Sequence, residues 1–279
     1  MIIDFHTHIF PPRIKEDRSL YIHRDPCFAL LYSSPQAELV TAEELISRMD
    51  RDGIDAAVAL NIGWTKHELC VETNDYIMES VARYPKRLIG FGAVQPRSLE
   101  EAIAEIERCA GAGLRGMGEL RPDIQSFDLA DKNLMTPLVE ALVKHHQILL
   151  THASEPVGHR YAGKGKITPD VLYEFIDAFP QLTLVCAHWG GGLPFFGLMP
   201  EVRKALGNVF FDTAASPFLY NPQIYREVIS ILGANKILFG TDYPLLTPGR
   251  LLKEIRSLGL PGETEDLILG GNARELLGI

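Results

Sequence analysis

The chain has 279 residues, 46% of them hydrophobic, and a formal net charge of −9. This acidic balance disfavours nucleic-acid binding, which needs clustered cations, and it leaves a small molecule as the expected partner. No stretch has the roughly 20 apolar residues of a membrane span, no basic leader is present, and four dispersed cysteines suggest reduced thiols, so we expect a cytoplasmic protein without membrane partners.

The first predicted strand, residues 1–9, contains a pair of histidines. It is rich in β-branched and aromatic residues and is stopped by Pro11 and Pro12. His6 and His8 are two positions apart, so both imidazoles face the same side of a strand. Neutral imidazole is the commonest protein ligand of zinc-like ions, which makes the pair one half of a candidate metal site. Two surface histidines are the alternative, because His-x-His by itself is a short motif.

Residues 10–40 form a long segment without a regular pattern. Four prolines interrupt it, whereas its aromatic and apolar residues argue against disorder. Loops of this length in a compact domain usually serve a function. We therefore predict an irregular loop that lies beside the site as a lid.

Strands and helices alternate from there to the C-terminus. Thr41 to Glu44 resembles a capping box for a helix that ends near Gly53, and Pro169 suits the first turn of a later helix. Further strands are predicted at 54–60, 88–94, 114–120, 148–152, 182–188, 209–213 and 236–242. Helices are predicted at 41–53, 67–84, 98–109, 131–146, from 168 onward, and at 222–232, 250–258 and 263–277. This order predicts a single-domain (β/α)8 TIM barrel over residues 1–279, with a long β1-α1 lid loop.

Histidine and carboxylate residues fall at the ends of several predicted strands. In a parallel barrel these ends ring one mouth, so residues that are distant in the sequence converge there. Imidazole together with carboxylate suits zinc, manganese or iron better than calcium or magnesium, which prefer oxygen ligands. We expect one or two divalent ions per chain, Zn2+ first, with Mn2+ and Fe2+ as alternatives. The six expected ligands are His6, His8, Glu119, His152, His188 and Asp242.

Four motifs together resemble the amidohydrolase superfamily. They are His6-Thr7-His8, a histidine that ends strand five, His188-Trp189-Gly190-Gly191, and Gly240-Thr241-Asp242-Tyr243-Pro244. The most similar branch is the amidohydrolase-related group, which includes the aminocarboxymuconate-semialdehyde decarboxylase-like proteins. The resemblance implies a metal-dependent barrel in which one metal is held by His6, His8, His152 and Asp242. It also implies that His188 is a ligand of a second metal or a catalytic acid/base.

Gly118-Glu119-Leu120 resembles the strand-four glutamate of two-metal members such as the TatD-like proteins. The likeness implies a second arrangement, in which Glu119 is shared between two ions. The ligand sets are then His6, His8 and Asp242 for one ion, and His152 and His188 for the other. The acidic composition argues against the nuclease activity of the TatD-like group.

The expected chemistry follows from the metal. A bound divalent ion lowers the pKa of its water from about 15.7 to about 7 and polarises carbonyl groups. We therefore expect a metal-dependent hydrolase whose bound hydroxide attacks an amide, ester or lactone, with Asp242 as the acid/base. The alternative is a metal-dependent decarboxylase of a carboxylated aromatic or muconate-like acid, in which His188 protonates the carbon framework. A second alternative is a non-catalytic metal-binding barrel. The sequence leaves open whether the chain forms a homo-oligomer.

Cations are concentrated in the predicted loop after strand five, residues 155–166. Arg121 lies two positions beyond Glu119, where its planar guanidinium can grip a carboxylate. The alternative is a solvated loop whose glycines only make turns. We expect an anionic substrate, bound by Arg121, His159, Arg160, Tyr161 and Lys164.

Strand parity makes one further prediction about the barrel interior. Asp4 has the parity of His6, and Arg115 has the parity of Glu119. Because a single inward charge is unfavourable, we expect a buried ion pair between Asp4 and Arg115 below the ligands. Cys186 is expected to be a small core residue.

Overall fold

The computed structural model describes residues 1–279 as one domain built on a parallel eight-stranded sheet. The strands pair in sequence order, and backbone hydrogen bonds from Phe5 to Phe239 and from His8 to Tyr243 join the first strand to the last part of the sheet. The predicted (β/α)8 TIM barrel is therefore confirmed. The strands are β1 (Ile3–His8), β2 (Ala56–Leu60), β3 (Leu88–Gly92), β4 (Gly116–Leu120), β5 (Ile148–Thr151), β6 (Leu184–Cys186), β7 (Val209–Asp212) and β8 (Ile237–Leu238).

Helices alternate with the strands and pack outside the barrel. They are α1 (Pro12–Glu16), α2 (Arg18–Arg24), α3 (Pro26–Tyr32), α4 (Ala42–Asp52), α5 (His67–Arg83), α6 (Leu99–Gly111), α7 (Lys132–Lys144), α8 (Pro169–Ala178), α9 (Pro200–Ala205), α10 (Ser216–Leu219), α11 (Ile224–Leu232), α12 (Pro248–Ser257), α13 (Gly262–Asp266) and α14 (Asn272–Leu277). The predicted capping box of Thr41 and Glu44 opens α4, and Gly53 ends it with a φ of 74°. None of the helices combines the length and the apolar character that crossing a membrane requires.

The apolar side chains form two layers. Inside the barrel, residues of successive strands such as Phe5, Val58 and Leu150 pack together with Ala273 of α14. A larger layer lies between the strands and the surrounding helices. Cys186 belongs to this outer layer, and burial raises the pKa of its thiol. The polar residues at the strand ends are therefore supported from below and from outside by packed apolar groups.

The prediction that residues 10–40 are irregular is wrong, because they contain α1, α2 and α3. Pro12 and Pro26 occupy first helical turns, where a missing N–H is tolerated. Asp25 caps α3 by accepting two backbone N–H groups of its first turn, at 2.9 and 3.0 Å. These short helices pack their aromatic residues against the barrel. The function of the segment as a lid stays a prediction.

The predicted ion pair between Asp4 and Arg115 is also wrong. The register between β1 and β2 shifts between Asp4 and Thr7, so simple alternation does not continue from Asp4 to His6. Asp4 accepts hydrogen bonds from the backbone N–H and hydroxyl of Thr241, at 3.0 and 2.6 Å. Burial raises the pKa of Asp4 to about 7, although these hydrogen bonds act to lower the pKa. Arg115 precedes β4 and is exposed.

Candidate metal centre

All six predicted ligands lie at the carboxyl-terminal mouth of the barrel. Donor atoms of five of them form two sets, each with all atoms within 4.8 Å of one another, and the two sets share Glu119. The sets are His6, His8 and Glu119, and Glu119, His152 and His188. A cavity of about 420 Å³ opens over them, lined by all of the predicted ligands except His6, which is fully buried.

His6, His8 and Asp242 form a group at the junction of the first and last strands, which we call the β1–β8 group. The Nε2 atoms of His6 and His8 are 3.1 Å apart, and Asp242 Oδ1 lies 3.1 Å from His8 Nε2 and 3.7 Å from His6 Nε2. Atoms bound to one metal ion at about 2.0–2.2 Å are roughly 3 Å apart, so this spacing suits a shared ion. Burial opposes the ionisation of Asp242, but His8 and His6 hold its pKa well below the ordinary value.

Asp212, the last residue of β7, supports this group from behind and was not among the predicted residues. Its Oδ2 accepts a hydrogen bond from His6 Nδ1 at 2.8 Å. Its Oδ1 accepts from the backbone N–H groups of His188 and Ala214, at 2.9 and 3.1 Å. Burial disfavours a charge on His6, but Asp212 raises the pKa of His6 to about 10. A carboxylate at a predicted strand end was the signal that could have identified Asp212.

Glu119, His152 and His188 form the second group, the β4–β6 group. Glu119 Oε1 accepts a hydrogen bond from His152 Nδ1 at 2.8 Å and lies 3.3 Å from His188 Nε2. His188 Nδ1 donates to the carbonyl oxygen of Ala214 at 3.1 Å, which turns its Nε2 toward Glu119. Burial opposes the ionisation of Glu119, but His152 and His188 hold its pKa well below the ordinary value.

Two further side chains distinguish His152 from the other histidines. Arg121 donates to His152 Nε2 at 3.3 Å, and Ser154 Oγ lies 3.0 Å from the same nitrogen while accepting from the N–H of Gly165 at 2.8 Å. Because a guanidinium only donates, Nε2 is an acceptor and Nδ1 carries the proton that bonds Glu119. Burial and Arg121 lower the pKa of His152 to about 4. Both nitrogens of His152 therefore have protein partners.

The backbone after β6 places His188 in the site. The predicted strand 182–188 ends earlier, at Cys186, and His188 and Trp189 have left-handed φ angles of 56° and 58°. Trp189 Nε1 donates to the hydroxyl of Ser216 at 2.9 Å, which anchors the turn. A Cβ on Gly191 would overlap the carbonyl oxygen of Ser154, so only glycine fits there. Glycine at position 191 thus allows the segment after β6 to approach Ser154, which follows β5.

The donor set fits a divalent ion of the transition series. His6 and His188 each give their Nδ1 proton to a protein acceptor, so their Nε2 lone pairs are free for a ligand role. Metal binding requires neutral imidazoles, and in that state the buried carboxylates exceed the cations nearby by two charges. These groups are Glu119, Asp212 and Asp242 against Arg121. Buried charge requires compensation, and one divalent cation would supply it.

The predicted substrate-binding residues fall into two sets. Arg121, His159 and Tyr161 line the cavity. Arg160 is exposed, and Lys164 donates to two carbonyl oxygens of its own loop at 2.6 and 3.2 Å, so the structure does not place either of them in the lining. Carbonyl oxygens of the same loop accept the hydrogen bonds of Lys164, which could not be predicted from the position of Lys164 in the sequence. The rest of the wall is largely apolar and includes Leu31, Ile62, Ala215, Phe218, Leu219 and Leu245.

Fold and site together define a (β/α)8-barrel protein with a buried histidine and carboxylate cluster of the metal-binding type. The family model described as Amidohydrolase matches residues 3–279, and the chain therefore belongs to the amidohydrolase family. The resemblance to the amidohydrolase-related group with its aminocarboxymuconate-semialdehyde decarboxylase-like proteins is confirmed.

The chain is similar over its full length to proteins named as decarboxylases. It is 26% identical to the 2-amino-3-carboxymuconate-6-semialdehyde decarboxylase of Dictyostelium discoideum, and the match covers 99% of this chain and 91% of that protein. The solved 5-carboxyvanillate decarboxylase of Sphingomonas paucimobilis is 20% identical with a TM-score of 0.82, covering 100% of this chain and 99% of that one. The manganese complex of 5-carboxyvanillate decarboxylase from Novosphingobium aromaticivorans is 19% identical, also with a TM-score of 0.82, covering 100% and 96%. The two solved structures share the fold of this chain.

Proposed function

We propose that this protein is a divalent-metal-dependent decarboxylase of a carboxylated aromatic or muconate-like acid. The observation that carries the proposal is the guanidinium of Arg121, which is buried in the wall of the cavity that the donor cluster also lines. Its Nη2 donates to His152 and to the carbonyl oxygen of Gly163, whereas its Nη1 has no hydrogen bond to a protein group, so Nη1 keeps its donors for a ligand. A desolvated planar fork suits a carboxylate, and the apolar walls suit a flat hydrocarbon body. The decarboxylase relative that matches the whole chain supports this reaction over the hydrolysis that we predict first from the sequence.

In this proposal His188 provides the proton. The bond between the carbon framework and the carboxylate breaks, carbon dioxide leaves, and the electron pair stays on the framework carbon. His188 Nε2 transfers a proton to that carbon, and water returns a proton to His188. The hydrogen bond from Nδ1 to Ala214 fixes the ring orientation, and Glu119, 3.3 Å from Nε2, stabilises the protonated imidazole.

The β1–β8 group would hold the metal ion, with Glu119 within reach. A bound divalent ion supplies Lewis-acid polarisation of the oxygen groups of the substrate. Asp212 keeps His6 in the tautomer that presents Nε2. The excess of two negative charges around the centre supports one ion over two. We favour manganese over the zinc expected from the sequence, because the complex from Novosphingobium aromaticivorans contains manganese.

Metal content and carbon dioxide release test the proposal together. We expect the chelator-treated protein to bind one Mn2+ per chain and then to release carbon dioxide from 2,6-dihydroxybenzoate or 5-carboxyvanillate. Arg121→Ala should abolish release, because the carboxylate loses its cation. Arg115→Ala is the matched control, since Arg115 is an exposed arginine immediately before β4, whereas Arg121 immediately follows β4. Equal losses in both variants would remove Arg121 from the proposal.

A metal-dependent hydrolase is the second candidate, and the position of Glu119 favours it. Glu119 belongs to both donor sets, as a carboxylate shared by two ions would. Two ions per chain, with hydrolysis of lactones or amides and no carbon dioxide release, would select this function. Asp242→Asn would then abolish hydrolysis, because Asp242 would be the acid/base.

A further inference from the structure

Tyr32, the last residue of α3, lines the cavity but has no assigned function. Its side chain is largely buried, with 8% of the residue exposed. No hydrogen bond joins its hydroxyl to another protein group. Tyr161, also in the lining, differs in this respect, because its hydroxyl donates to Glu155 at 3.0 Å. The cavity therefore contains one phenol that is satisfied by the protein and one that is not.

The ring of Tyr32 is held in place by neighbouring aromatic side chains. Its centroid lies 4.9 Å from that of Phe28 and 5.1 Å from that of Phe10, the latter in an edge-to-face arrangement. Phe28 in turn stacks on Trp64, with an interplanar angle of 10°. All of these rings belong to one buried apolar cluster. The hydroxyl of Tyr32 consequently occupies a fixed position at the cavity wall.

The hydroxyl of Tyr32 is available as a donor at neutral pH. Burial raises the pKa of Tyr32 well above its ordinary value, and the charges of Asp242 and Glu119 act in the same direction. Polar groups in a largely buried environment normally have a hydrogen-bond partner. A molecule bound in the cavity can supply that acceptor in place of water. Arg121 and Tyr32 are thus separate polar contacts on a largely apolar wall.

We propose that Tyr32 donates a hydrogen bond to an oxygen substituent of the substrate, distinct from the carboxylate that Arg121 holds. Tyr32 would then select hydroxylated aromatic acids over the unsubstituted acids. This inference rests on the proposed function, because it assigns the second substituent of the same substrate. The apolar side chains between these contacts accommodate the ring itself.

Binding of two simple acids tests the role of Tyr32. Salicylate carries a hydroxyl beside its carboxylate, and benzoate lacks it. We expect Tyr32→Phe in the Mn2+-loaded protein to weaken salicylate binding about tenfold, as for one lost hydrogen bond, and to leave benzoate binding unchanged. Titration calorimetry measures both Kd values. Tyr21→Phe is the matched control, because Tyr21 lies in the same aromatic cluster but donates to Glu72 at 2.5 Å and does not line the cavity.

The possible outcomes separate this inference from the proposed function. Equal weakening of both acids in Tyr32→Phe, or no change for either, would overturn the inference. Failure of the unmodified Mn2+-loaded protein to bind either acid would also overturn it. If Tyr32→Phe weakens salicylate binding selectively but the unmodified protein releases no carbon dioxide from any hydroxylated acid, Tyr32 is supported as the contact of the oxygen substituent. That result would contradict the proposed decarboxylation and leave the inference about Tyr32 intact.

Discussion

The β1–β8 group and the β4–β6 group lie at one cavity, but the imidazole Nε2 atoms of the two groups have different partners. In the β1–β8 group, two imidazole nitrogens and a carboxylate oxygen face one another at 3.1 to 3.7 Å, and no lysine or arginine contacts them. In the β4–β6 group, Arg121 and Ser154 already occupy His152 Nε2. The first group therefore has no arginine or lysine beside it, whereas the second has Arg121. The six residues at the mouth are therefore not equivalent as ligands.

This difference suggests that the two groups have separate functions within the cavity. The β1–β8 group is suited to the metal, and the guanidinium beside the β4–β6 group is suited to the carboxylate of the substrate. His188 lies between them, with ring centroids 5.5 Å from His6 and 4.9 Å from His152. A group in that position can reach a substrate held from both sides. The variants below test this division.

His8→Ala should have the largest effect. Removing one nitrogen from the β1–β8 group should eliminate metal binding and reduce carbon dioxide release to background, at least about a thousandfold. Ser154→Ala, which changes a partner of His152, should retain one ion per chain. Elemental analysis of both purified variants measures the effect. Loss of the ion in both variants would show that the two groups do not differ as described.

His188→Asn should reduce kcat by roughly 10²- to 10⁴-fold, because the proton donor is lost. Asparagine tolerates the left-handed backbone at this position and can still donate to Ala214. Metal content should stay at one ion per chain. Steady-state kinetics combined with elemental analysis checks the prediction. A variant that loses the ion would instead place His188 among the ligands.

Asp212→Asn should weaken metal binding by about 10- to 100-fold. The amide cannot serve both His6 Nδ1 and the two backbone N–H groups as the carboxylate does. The affinity can be measured by competition with a chelator of known Kd. Asp170→Asn is a suitable control, because Asp170 is an exposed carboxylate on α8. Unchanged affinity in Asp212→Asn would contradict an orienting role.

Arg121→Lys should have the smallest effect of the four and should act on the substrate alone. Lysine keeps the charge but loses the planar fork, so KM should rise about tenfold while metal affinity remains that of the unmodified protein. Kinetics at saturating Mn2+ and a separate metal titration distinguish the two quantities. A decrease in metal affinity with unchanged KM would reverse the assignment of the two groups.

The barrel and the position of the six residues could be predicted because both depend on local patterns. Short apolar runs that alternate with helical segments indicate a parallel barrel, and the residue ending each run then lies at the mouth. Asp212 satisfied the same rule and could have been included. The hydrogen bonds of His152 to Arg121 and Ser154 could not be predicted, because they depend on how two loops pack together.

The errors also have physical causes. The ion pair between Asp4 and Arg115 assumed uninterrupted alternation, but the register of β1 is irregular between Asp4 and Thr7. The helices in residues 10–40 are five to seven residues long, and such helices depend on tertiary packing more than on propensity. Strand β6 ends at Cys186 because the chain turns into a left-handed conformation at His188, which periodicity does not report.

Asp25 joins the wall that carries Tyr32 to the body of the barrel. One carboxylate oxygen caps α3, and the other accepts from the backbone N–H and the hydroxyl of Thr65, at 2.8 and 2.7 Å. Displacing α3 together with Asp25 would break the bonds to Thr65 and expose the aromatic cluster beneath. The part of the cavity wall that α3 supplies is therefore tied to the segment after β2 through Asp25 and Thr65.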